Sequence, residues 1–320
     1  MIHSSYSPSR LRLGLCSLLL LAAPAFAAPI PVTATFSILG DLVKQVGGEQ
    51  VAVHSLVGPN GDAHVYQPSP QDVRTLSQSK LLVSNGLHFE GWLDRLSQAS
   101  GFKGAEVVAS QGIKARAMAE EEDGTEEHEH EHDGKEEAGH HHHDGIDPHA
   151  WNDPENVIVY VNNIASGLSQ LDPEHASQYQ ANAEAYVRQI KALDGEYRPR
   201  FAALSAQQRR AITSHDAFGY LAQAYDLSLL APQGINTEAE ASAADVGKLI
   251  RQIRQEHIKA LFVENISDPR LIEQIARETG VQPGGSLYSD ALSPADGEAP
   301  DTLSLLRHNL STLLKAMEQQ

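Results

Sequence analysis

Short apolar runs alternating with helical stretches restrict this chain to very few folds. In the first third the runs are PVTATFS (31–37), VAVHSLV (51–57), KLLVSNG (80–86) and AEVVAS (105–110). Their length, apolar content and flanking Gly, Ser and Asn residues read as buried strands. ILGDLVKQVGG and SPQDVRTLSQS between them read as helices. The last third resumes the rhythm with strands RRAITSH (209–215), IKALFVEN (258–265) and GGSLYSD (284–290). Helices DAFGYLAQAYDL, SAADVGKLIRQIRQEH, SDPRLIEQIARETG and DTLSLLRHNLSTLLKAM fill the spaces. Strand, helix, strand in this order implies α/β architecture, with parallel sheets covered by helices.

The two alternating regions are separated by a different pattern. NDPENVIVYVNNIASGLSQL opens on Asp153 and Pro154, a cap residue followed by Pro at the first helical position. LDPEHASQYQANAEAYVRQIKALDGEYRPRFAALS repeats the device with Asp172 and Pro173. Its apolar residues Tyr179, Tyr186, Ile190, Leu193, Tyr197, Phe201 and Leu204 follow a helical stripe. Roughly 30 residues at ~1.5 Å each span ~45 Å, enough to run along two lobes. Pro199 is expected to kink its end. The expected organisation is an N-terminal α/β lobe (28–171), a long linking helix (172–205) and a C-terminal α/β lobe (206–320).

Residues 1–27 read as a secretory signal rather than as fold. Arg10 and Arg12 precede the apolar run from Leu13 to Ala23, and Ala25-Phe26-Ala27 supplies the small-residue cleavage site. The run is too short for a membrane-spanning helix. The only cysteine, Cys16, lies within it, so the mature chain of about 290 residues has no thiolate for a metal. Any metal site must use His, Asp or Glu.

The net charge of −18 is mostly local. Between Glu120 and Asp147 thirteen acids face one base, Lys135, so this stretch carries twelve of those charges. From about 119 to 147 apolar residues nearly vanish, and the segment reads as a disordered acidic insertion. It holds His128, His130, His132, His140, His141, His142 and His143. The remainder of the chain has no basic stripe, which argues against nucleic acid as a partner.

Ligands of open α/β sheets bind at the carboxyl ends of the strands. His64 follows the second strand in GPNGDAHVYQPSP, and His149 lies in DPHAW behind Pro148. His215 ends AITSH, and Asp290 ends SLYSD. Neutral imidazole and carboxylate suit zinc, and four protein ligands leave no position for an activated water. The set therefore favours binding over hydrolysis. Competing readings stay open from the residues alone. Asp290 could cap a turn, Asp216 is a rival carboxylate, and His88 follows a strand. Glu264 could accept from a ligand imidazole or serve only a turn. A zinc-dependent hydrolase using Glu264 as base, and a buffer or adhesin using only the His-rich insertion, are the other functional classes.

Several segments together resemble a known family. GDAHVYQPSPQD, DPHAW, TSHDAFGYLAQAY, GINTEAEASAADVGKLIRQIR and LYSDAL are similar to motifs of the zinc-binding periplasmic proteins of ABC importers, the ZnuA-like and AztC-like solute-binding proteins. The resemblance covers almost the whole mature chain. It implies two α/β lobes joined by one long rigid helix, with the metal in the interlobe cleft. It implies His64, His149, His215 and Asp290 as ligands of transported Zn2+, because manganese-binding relatives tend to place Glu where this chain has His215. Some ZnuA-like relatives carry Glu just before the first His, where this chain has Ala63, and many carry a disulfide that this chain cannot form. Both departures point to the AztC-like side.

The implied protein is a periplasmic monomer, not an enzyme. It takes Zn2+ free or from a zinc metallochaperone and delivers it to an inner-membrane ABC permease, with the His-rich insertion aiding capture or transfer. Manganese or iron is the alternative cargo within the same transporter class.

Overall fold

The computed structural model describes residues 3, 28–117, 145–235 and 237–319. Apart from residue 3, the signal-like segment 1–27 lies outside the described residues, as do the histidines His128 to His143 of the insertion.

The chain builds two α/β lobes. The first contains β1 (Ile30–Phe36), α1 (Ser37–Gly47), β2 (Val51–Val57), α2 (Pro70–Gln78), β3 (Leu81–Ser84), α3 (Leu93–Ser100) and β4 (Ala105–Val108). Its sheet has the order β2-β1-β3-β4, all parallel. A two-stranded antiparallel ribbon, β5 (Arg116–Ala117) and β6 (Ile146–Asp147), pairs Arg116 with Asp147 at the root of the insertion. Helix α4 (Pro154–Leu171) then leads to the long helix α5 (Ala176–Ala202). The second lobe contains β7 (Arg210–Ile212), α6 (Gly219–Tyr225), β8 (Ser228–Leu230), α7 (Ala243–Glu256), β9 (Ala260–Glu264), α8 (Pro269–Thr279), β10 (Pro283–Leu287) and α9 (Thr302–Glu318). Its parallel sheet has the order β10-β9-β7-β8.

The helix starts follow their cap residues. Ser69 accepts from the backbone of Gln71 and Asp72, Asp72 returns the bond, and Pro70 takes the first position of α2. Asp153 with Pro154 and Asp268 with Pro269 repeat the device at α4 and α8. The expected start at Pro173 differs: Pro173–His175 is a separate 3-10 turn, and the α-helix begins at Ala176. There Asp172 is engaged by the His175 ring and the Tyr179 hydroxyl rather than by the first helical amides. Helix α5 has 27 residues, continues past Pro199 to Ala202, and buries the whole expected stripe from Tyr179 to Phe201.

The core joins the lobes unevenly. One continuous cluster takes in the first sheet, α1, α4, α5, α6, α9 and the inward side chains Ala211, Ala260, Phe262 and Leu287 of the second sheet. Ile212 and Leu261 point to the other face and meet a separate cluster under α7 and α8. This is the period-two alternation of strands sandwiched between two helical layers. Among the described residues no helix is long and apolar enough to cross a membrane.

The sequence reading omits α3, β8 and the β5–β6 ribbon, all of them short. Several strands also end sooner than expected, among them β7 at Ile212 and β10 at Leu287. His215 and Asp290 each stand three residues beyond the end of the strand before them.

Candidate metal centre

Four side chains from distant parts of the chain meet between the lobes. His64 lies in the loop after β2. Asp62 accepts from its backbone N–H at 2.9 Å, and the Trp92 indole donates to the carbonyl of Ala63 at 2.8 Å. The same loop reaches the other lobe, where Asn60, at φ 54°, donates its N–H to Leu292 O at 2.9 Å. Asn tolerates that left-handed conformation better than most residues.

His149 follows β6 and Pro148 and opens a 3-10 turn, Ala150–Asn152. Asp147 Oδ1 accepts both its backbone N–H (3.0 Å) and its ring Nδ1–H (2.9 Å). Asp147 Oδ2 meets Arg116 Nη1 at 2.9 Å. This arrangement presses against the second lobe at Gly219, where an added Cβ would stand 2.2 Å from Arg116 Nη1 and 2.6 Å from Asp147 Oδ2. A larger residue there would have to displace the Arg116–Asp147 pair.

His215 is held by Glu264 at the end of β9. Glu264 Oε1 accepts the backbone N–H groups of Ser214 (2.7 Å) and His215 (2.9 Å). Its Oε2 lies 2.5 Å from His215 Nδ1, an electrostatic contact whose angle is off the hydrogen-bond line.

With their Nδ1 atoms so occupied, His149 and His215 both present Nε2 to the centre. His64 Nε2 lies 3.2 Å from His149 Nε2 and 3.2 Å from Asp290 Oδ2. His215 Nε2 is 3.3 Å from Asp290 Oδ2, and His149 Nε2 is 3.7 Å from Asp290 Oδ1. One donor atom from each of the four falls within 4.8 Å of every other. His149, His215 and Asp290 are fully buried and His64 is 8 % exposed. Phe36, Phe89 and Trp151 wall the site, with the Phe89 ring 4.8 Å from His64 and Trp151 5.3 Å from His149.

Burial by itself would raise the Asp290 carboxyl, but the imidazoles of His149 and His215 hold it well below its ordinary range. Burial would lower His215, yet the Glu264 and Asp290 carboxylates hold it well above. Among the described residues neither Asp290 oxygen accepts a hydrogen bond, and His215 Nε2 has no hydrogen-bond partner. Buried polar atoms are normally paired, so a carboxylate surrounded only by imidazole nitrogens suits a cation. Beside this closed centre lies a polar cavity of about 510 Å³ bordered by Asp62, Ser214, Gln233, Thr237 and Ser267.

His64, His149, His215 and Asp290 thus come together, with Glu264 directly behind His215. The rival residues do not join them. Asp216 is outside the group. His88, at φ 63°, is exposed, as are His54 and His257. His175 pairs with Asp172, and His308 bonds the carbonyl of Ser286. Asp147 was missed as a partner of His149, although the short D-P-H spacing could have shown it.

The comparisons with known proteins agree with one another. The family model described as "ZnuA: Zinc-uptake complex component A periplasmic" matches residues 32–316. The iron-binding protein YfeA of Yersinia pestis is 32% identical over 294 residues, covering 92% of this chain and 88% of its own. The manganese ABC transporter substrate-binding lipoprotein PsaA of Streptococcus pneumoniae is 29% identical, covering 91% and 89%. The solved structure of the periplasmic zinc binding protein TroA from Treponema pallidum has a TM-score of 0.79 at 28% identity, covering 91% of this chain and 99% of that one.

Proposed function

The chain belongs to the ZnuA family of periplasmic metal-binding proteins, the substrate-binding components of ABC metal transporters, and from that premise we propose that its cargo is Zn2+. The family consists of solute-binding proteins, not enzymes, which removes the hydrolase reading. Its relatives carry names for iron, manganese and zinc, so the cargo must be argued from this chain's own donors.

The observation that carries the proposal is the buried set of three imidazoles and one carboxylate, His64, His149, His215 and Asp290. Zinc takes four such ligands in a tetrahedron, whereas manganese favours oxygen-rich octahedral shells. Donors at ~2.0–2.1 Å on a tetrahedron stand about 3.3 Å apart. Three of the separations here are 3.2, 3.2 and 3.3 Å. The ligands belong to both lobes, so moving the lobes apart would dismantle the cage and release the ion to the permease. The hydrogen bonds that Asp147 accepts and the contact with Glu264 orient two of the rings, as carboxylates behind zinc-binding histidines do.

The finer parts of the reading are a monomer acting in the periplasm after cleavage of residues 1–27, and a zinc metallochaperone as donor. The histidines from His128 to His143 serve capture or transfer rather than tight binding. Metal analysis of the purified protein, followed by competitive titration with Zn2+, Mn2+ and Fe2+, tests the cargo. One tightly held zinc per chain is expected, and a preference for manganese or iron would overturn the proposal. Deleting residues 120–144 should leave that tight site intact and slow metal transfer.

A further inference from the structure

The turn that follows His149 reaches both ligand-bearing segments of the opposite lobe. Trp151 donates its indole N–H to the carbonyl of Ser289, the residue before Asp290, at 2.7 Å. Asn152 donates to the carbonyl of Ala217, two residues after His215, at 3.0 Å. The same Asn152 amide reaches Ser289 O at 3.4 Å. Both side chains are fully buried. The amide orientation follows from its partners, because an oxygen placed against two carbonyls would be repelled. Asn152 Oδ1 in turn accepts no hydrogen bond among the described residues.

We propose that Asn152 is a positioning residue that sets metal selectivity. It touches no ligand atom. Its amide instead ties the His215 segment and the Asp290 segment to the turn that begins at His149, fixing three of the four donors in one small cage. This rests on the reading that those residues hold the metal. A cage of fixed small size favours an ion content with four close ligands. A cage free to widen loses that advantage over an ion that accepts more ligands at longer distance. Trp151 acts in the same way on Asp290 alone.

The test compares Zn2+ and Mn2+ affinities, the Co2+ absorption spectrum and the melting temperature of metal-free protein for wild type, Asn152→Ala, Trp151→Phe and His215→Ala. Asn152→Ala should weaken zinc about 10- to 100-fold, the effect of losing an outer partner at a metal site. Manganese affinity should change much less, so the zinc-to-manganese ratio falls, and the Co2+ bands should shift as tetrahedral geometry is lost. Trp151→Phe keeps a ring in the packing and should shift the ratio in the same direction by less. Equal losses for both ions with an unchanged Co2+ spectrum would mean a structural role only and would overturn the inference, as would unchanged affinities. Where Asn152→Ala does not fold, Trp151→Phe decides, and an unchanged ratio in it refutes the proposal. His215→Ala separates the two levels: full zinc affinity there refutes the ligand assignment itself. A large loss there beside an unchanged ratio in Asn152→Ala refutes only the role of Asn152.

Discussion

Each lobe holds one imidazole of the candidate centre by a buried carboxylate, but the two carboxylates have different company. Asp147 accepts from His149 with one oxygen and from Arg116 with the other. Glu264 takes two backbone N–H groups on one oxygen and sets the other against His215, and among the described residues no arginine or lysine forms an ion pair with it. The first lobe does bury a glutamate like Glu264. Glu90 accepts from the backbone of Asn85 and Gly86 and from the Thr35 hydroxyl. Burial pushes its carboxyl up. So one imidazole is backed by a carboxylate that an arginine also engages, and the other by a carboxylate with no such second partner. His149 is held chiefly by orientation, whereas His215 is held by orientation and field together.

Breaking the site itself should have the largest effect. His215→Ala and Asp290→Ala are each expected to weaken zinc at least about a hundredfold, measured by chelator competition, since each removes one of four ligands. Wild-type affinity in either would show that the ion sits elsewhere. The next contrast tests the asymmetry directly. Glu264→Gln keeps an oxygen for the two backbone amides but sets an NH2 group against His215 in place of the charged oxygen, and a loss of about 10- to 100-fold is expected. Asp147→Asn removes a charge already offset by Arg116, and about tenfold or less is expected. The reverse ranking would mean that orientation, not field, governs both rings. Arg116→Gln should change zinc affinity by no more than about threefold, because a partly exposed ion pair contributes little.

The smallest effect lies away from the ligands, at Asp153. Burial raises its carboxyl to about 6 despite the N–H it accepts from Glu155. An acid raised on folding favours the fold while protonated. Stability is therefore fully present below about 4, falls as pH rises through about 6, and stays lower above. Asn caps a helix as well as Asp, so Asp153→Asn should raise stability at pH 7 by about 1 kcal/mol and do nothing near pH 4. Equal melting temperatures across that range would refute this account of Asp153.

The parts of the fold legible in the sequence were those written in local chemistry. Cap-and-proline pairs such as Asp153-Pro154, and the stripe from Tyr179 to Phe201, depend on neighbours within a turn or two. The four meeting residues were legible as polar side chains just past strands, together with the family resemblance. Pairings across the lobes were not. Asn152 looks like any polar residue at a helix start, and nothing near it in sequence names Ala217 or Ser289 as its partners. Asp147 was hidden for a different reason: it closes a run of acids, and its charge was counted with theirs. Strand β8, three residues long, carries too few side chains to show a period.

The aromatic wall of the site has a consequence for observation. The protein has two tryptophans. Trp92 donates to the carbonyl beside His64, and the Trp151 ring lies 5.3 Å from that of His149. Both tryptophans thus sit at or beside residues of the candidate centre, so tryptophan emission reports on this one place. Unlabelled protein in a stopped-flow cell should reveal loading and release in real time.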